Sequence, residues 1–68
     1  MKIVENQMGG LYDYTVTGEQ EEAAAAELEQ RMARISREYH NPYRLDDLAD
    51  ARRKVAEKYG VKIGTTLD

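Results

Sequence analysis

The hydrophobic positions of this chain change rhythm twice. From Leu11 to Thr17 they alternate, with Tyr12, Tyr14 and Val16 on one side and Asp13, Thr15 and Thr17 on the other. A period of two predicts a strand with one buried and one wet face. A short β-prone run, Lys2 to Glu5, precedes it, and Asn6 with Gly9-Gly10 supplies turn residues between the two. Glycine takes the positive φ angles that tight hairpin turns need. Residues 1–17 therefore read as a β-hairpin, in whose first arm the adjacent Ile3 and Val4 cannot share a face.

Beyond Thr17 the period lengthens. Ala25, Leu28, Met32, Ile35 and Tyr39 recur at spacings of three and four, the stripe of a helix with one buried face. Thr17 and Gln20 stand at capping-box spacing, where a hydroxyl accepts a backbone N–H and the glutamine reaches back. The run of four alanines with Glu, Gln, Arg and Leu around it is rich in strong helix formers. Pro42 breaks this helix and biases Asn41 toward extended geometry. A second helix starts between Pro42 and Asp46, with the stripe Leu45, Leu48, Arg52, Val55, Tyr59 and with Ala49 and Ala56 alongside.

Gly60 is placed to stop that helix in a left-handed conformation, with Val61 folding back onto Ala56 in a Schellman arrangement. Val61 and Ile63 then share one face of a short third strand. Two helices with matching stripes and a short link predict an antiparallel helical hairpin. The expected fold is α+β: an N-terminal β-hairpin packed on a helical hairpin, ββαα or ββααβ, in one compact domain over residues 1–68.

Size sharpens this picture. A chain of 68 residues buries only about 60% of the surface that its unfolded form exposes. Small folds often rely on disulfides or metals, but this chain has no Cys and one histidine, His40. Packing, helix propensity or a partner must supply stability, which adds weight to homodimerisation or to docking on something larger. No apolar run approaches the ~20 residues of a membrane span, and no charged-then-apolar leader is present. A soluble, cytoplasmic protein without membrane contact is the expectation.

The net charge of −3 conceals an asymmetry. Residues 1–30 carry one base against seven acids, residues 31–68 nine bases against six acids. Much of this is local: acids crowd the start of the first helix while Arg31, Arg34 and Arg37 crowd its end, complementing the helix dipole. Asp50 likewise stands four residues before Lys54, the orientation suited to a helical ion pair.

Catalytic constellations are sparse. Nucleophilic catalysis needs an activated nucleophile beside a positioned base, whereas the single serine, Ser36, sits mid-helix between arginines and His40 sits at the helix break. The neighbouring acids Glu21/Glu22 and Asp46/Asp47 diverge around a helix, and Gly9-Gly10 is a turn without a phosphate-loop pattern. No enzyme activity and no cofactor are expected.

The basic set Arg52, Arg53, Lys54, Lys58 and Lys62 gathers toward the end of the second helix, as in nucleic-acid binders that collect phosphate contacts. The segment "AEKYGVKIGTT" resembles the core of the helix-turn-helix family: Ala56 is the small packing residue, Gly60 the turn and Val61 the core plug. It matches the first half of that motif and departs in the second. A recognition helix is required there, but Val61, Ile63, Gly64, Thr65 and Thr66 favour an extended segment. The strand followed by two helices is also similar in outline to ribbon-helix-helix proteins, although Asp13, Thr15 and Thr17 suit phosphate poorly.

Five tyrosines with no Phe or Trp favour a protein interface. In size, acidity and lack of cysteine the chain resembles small phage-encoded inhibitors of the anti-CRISPR type, a group without a shared sequence motif. The resemblance implies a non-enzymatic protein that occludes a surface of a larger host protein or ribonucleoprotein complex, in the host cytoplasm. The candidate contact residues are the acids Glu19, Glu21, Glu22 and Glu29 and the corner His40, Tyr43 and Arg44. The alternative is a small nucleic-acid-binding regulator using the five cations.

Overall fold

The computed structural model describes residues 1–5, 12–37 and 44–66. The order of elements is β1 (Lys2–Val4), β2 (Tyr14–Thr17), α1 (Glu21–Arg37), α2 (Arg44–Tyr59) and β3 (Lys62–Thr65), which is the ββααβ form of the expected fold. β2 is the central strand of an antiparallel sheet in the order β1-β2-β3. Its register aligns Ile3, Thr15 and Gly64 in one row and Val4, Tyr14 and Thr65 in the next.

Alternation then sorts the faces. Val4, Tyr14 and Val16 turn inward and are buried, whereas Ile3 is 57% exposed. The sequence separated Ile3 from Val4 for this reason. Tyr12 departs from the expected inward row and is 54% exposed. The ladder between β1 and β2 ends at the pair Val4–Tyr14, so Tyr12 lies beyond the strand and loses its pleat. Gly9-Gly10 lies outside the described residues.

Both helices cover the inner face, α1 over β1 and β2 and α2 over β3. Leu28, Leu48, Val16 and Val55 are the largest fully buried side chains, with Ala24, Met32 and Val61 beside them. Each fully buried aliphatic side chain contributes about 1.5–3 kcal/mol of transfer free energy. Ala24 and Ala51 are more completely buried than the periodic reading implied, because each helix packs against its neighbour as well as against the sheet. Small residues permit that approach. Tyr39 lies outside the described residues.

The helix ends differ in how well they follow expectation. α1 begins at Glu21, so Thr17 remains the last residue of β2 and does not cap the helix. Gly18, at φ +152°, makes the corner instead, and its carbonyl accepts the Glu21 N–H at 3.3 Å. At the end of α2 the expectation holds. Gly60 adopts φ +63°, and the Val61 N–H donates to the Ala56 carbonyl at 3.2 Å. This bond closes a Schellman motif. The chain after Gly60 is strand β3, which leaves no place for a recognition helix.

Candidate functional site

The fold separates the acidic set into two groups. Glu21 receives the amino terminus of Met1 at 2.9 Å, and Glu22 receives Lys2 Nζ at 3.3 Å. These pairs tie the start of α1 to β1. The Met1 ammonium, as hydrogen-bond donor, holds the Glu21 carboxyl below the usual range. Glu19 and Glu29 face solvent without a partner among the described residues. His40 and Tyr43 lie outside the described residues, as does the side chain of Arg44, whose backbone opens α2.

The basic set is dispersed further. Arg53 and Lys54 both pair with Asp50, Lys54 at 3.0 Å. Their hydrogen bonds and charge, Lys54 foremost, depress the Asp50 carboxyl. Lys58 reaches across the helical hairpin to Glu27 at 2.6 Å. Arg52 lies half-buried with its guanidinium carbon 4.9 Å from the centroid of the Tyr14 ring. Lys62 is exposed on β3, on the side of the sheet away from the helices. Thus three of the five candidate cations are bound to carboxylates of this chain and one is stacked on a ring.

Glu27 accepts three side-chain donors, and sequence reading did not single it out. It accepts Lys58 Nζ at 2.6 Å, the Tyr59 hydroxyl at 3.0 Å and Arg31 Nε at 3.1 Å. Chiefly through the Lys58 hydrogen bond, its carboxyl is lowered to about 2, and the Lys58 ammonium is correspondingly raised. The Arg31 contact was legible as an i,i+4 pair. The contacts from Lys58 and Tyr59 span 31 and 32 residues and required the helical hairpin to bring them together. The result is a polar clasp between α1 and α2.

Among the described residues no three His, Cys, Asp or Glu side chains are placed to hold a metal. A groove of about 170 Å³ between the helices is lined by Arg31, Arg34, Ile35, Asp47, Asp50 and Ala51. Its cations and carboxylates are mixed, so it presents no concentrated charge of one sign. No described helix is long and apolar enough to cross a membrane.

Two of the three large hydrophobic side chains exposed among the described residues lie at one strand, the third being Tyr12. Met1 is 70% exposed and Ile3 57%. They occupy alternate positions at β1, on the face opposite the helices, next to the flat centre formed by Thr15 and Gly64. Comparison with protein-family models, curated proteins and solved structures returned no match for this chain.

Proposed function

We propose that this chain is a non-enzymatic protein-binding module that docks through the helix-free face of its sheet. The observation that carries this reading is the placement of Met1 and Ile3, which hold large apolar side chains in water along β1. Apolar surface in that arrangement favours burial against a partner. The finer role is that of a cytoplasmic inhibitor occluding a surface of a larger nucleic-acid-handling or defence complex. Small size and the charge format support it, with the free carboxylates Glu19 and Glu29 available at the rim. Nucleic-acid binding is the weaker reading, because Arg53, Lys54 and Lys58 already have carboxylate partners.

The test is affinity capture from a bacterial lysate, followed by reconstitution of a stoichiometric complex from the purified components. Ile3→Asp should abolish the complex while leaving the thermal melt nearly unchanged, since Ile3 does not face the core. Equal binding by Ile3→Asp would remove the sheet-face reading. A gel shift with DNA or RNA that weakens with salt, and that disappears in Lys62→Glu, would favour the regulator instead.

A further inference from the structure

β1 is an edge strand: β2 pairs with one side of it, and no described strand pairs with the other. Side chains on both faces of that edge stand in solvent. Met1 and Ile3 are exposed on the helix-free face. Lys2 is exposed on the opposite face, in the row of Val16, and Glu5 is exposed just past the strand. A strand edge flanked by open apolar side chains is a template for a further strand.

Charge says which strand fits. α1 is the helix that packs over β1, and its flank beside this edge is acidic. Glu22 meets Lys2 at 3.3 Å, which fixes that flank next to β1, yet its side chain is still 81% exposed. Glu29 lies two turns further along the same flank, exposed and without a partner among the described residues. Around the edge the four carboxylates Glu5, Glu21, Glu22 and Glu29 stand against two cations, the Met1 ammonium and Lys2, so negative charge is in excess. A strand laid along β1 alternates its side chains between the open face, where Met1 and Ile3 lie, and the helix side, where Glu22 and Glu29 lie. Those two carboxylates are about 10 Å apart along the helix axis, against about 7 Å between alternate residues of a strand. Long basic side chains span the difference.

We propose that the outer edge of β1 docks, by strand addition, an extended segment of a partner protein in which aliphatic and basic residues alternate. The segment's backbone pairs with Lys2–Val4, its aliphatic residues cover Met1 and Ile3, and its Lys or Arg side chains reach Glu22 and Glu29. A second copy of this chain would bring the same negative excess to the edge. Nucleic acid would meet carboxylates where it needs cations. This inference rests on the protein-binding reading and names the partner's chemistry at the edge of the same apolar patch.

The full chain, labelled with nitrogen-15, would be titrated with an alternating Val–Lys hexapeptide, with its Val–Glu and Ser–Lys counterparts, and with the Val–Lys peptide N-methylated at every residue. Val–Lys should shift the amides of Lys2–Val4 saturably while those of Lys62–Thr65 stay in place. Glu29→Lys, at an exposed position, should weaken binding about three- to tenfold, the range for exchanging a surface attraction for a repulsion. Ile3→Asp should abolish it. The Ser–Lys peptide keeps the charge without the aliphatic groups, and the N-methylated peptide keeps both but cannot pair, so neither should bind measurably. Equal response to Val–Glu or Ser–Lys, undiminished binding after N-methylation, shifts confined to α1, or no shift would overturn the site. If the peptide fails while Ile3-dependent capture persists, strand addition falls and the sheet-face reading stands. Capture that ignores Ile3 would overturn both.

Discussion

Two glycines with positive φ angles carry different burdens, and replacing each by alanine separates them. Gly60, at φ +63°, has no atom of a described residue beyond its chain neighbours within 4 Å of where a Cβ would stand. Gly60→Ala therefore meets only the left-handed backbone penalty, about 1–2 kcal/mol. Gly18, at φ +152°, lies in a region L-residues rarely adopt, and its added Cβ would stand 3.0 Å from Val61 Cγ1 and 3.3 Å from Val61 Cα. Val61 is buried and held by its bond to Ala56, so it has little room to retreat. Backbone strain of about 1–3 kcal/mol and overpacking of about 1–3 kcal/mol then add. That sum, about 2–6 kcal/mol, is comparable with the whole stability expected at this length, about 3–10 kcal/mol. In thermal and urea melts followed by circular dichroism, Gly60→Ala should stay folded with its midpoint lowered by about 4–16 °C. Gly18→Ala should be far less stable, and adding Val61→Ala should cost less than it does in the wild-type background, because the clash is then relieved. A Gly18→Ala protein that melts no lower than Gly60→Ala would refute the close packing of these two connections.

The remaining predictions concern the clasp and the core. The Glu27 carboxyl lies at about 2 in the folded chain against an ordinary 4.5, so below pH 4.5 the unfolded chain takes up this proton first. The clasp's contribution should be complete above that pH and disappear as pH falls through about 2; Glu27→Gln should flatten the urea midpoint across this window, and an unchanged slope would count against the clasp. Lys58 is raised above its ordinary value, so the same pair should also lose stabilisation at strongly alkaline pH. Leu28→Ala, at a fully buried site, should cost about 2–5 kcal/mol, while Ile3→Ala on the open face should stay within about 0.5 kcal/mol; similar values from denaturant melts would mean the two faces are misassigned.

The fold was legible wherever local chemistry and periodicity agreed. Alternation placed Tyr14 and Val16 inward, the three-and-four stripes placed Leu28, Met32, Leu48 and Val55 in the core, and Gly60 ended α2 as its position suggested. Legibility failed where an element's end decided the outcome. Tyr12 continues the alternation in sequence but lies past the last paired residue, and Thr17 has capping-box spacing but is retained by its strand pairing with Lys62. Ladder length depends on the partner strand, which no local pattern encodes.

Charge was the least legible property, for a related reason. A sequence permits counting cations, whereas binding depends on which of them keep a counter-charge nearby. Lys54 and Asp50 are four residues apart, and their pairing could be read directly. Lys58 and Glu27 are 31 residues apart and meet only because α1 and α2 run antiparallel. Arg52 stands two turns before Tyr59 on the same stripe of α2 and meets the Tyr14 ring instead of Glu27. A basic cluster at the end of one helix is thereby divided among three environments: intrahelical pairs, an interhelical clasp and a cation stacked on a ring of the central strand. The net charge of the chain gives no sign of this division.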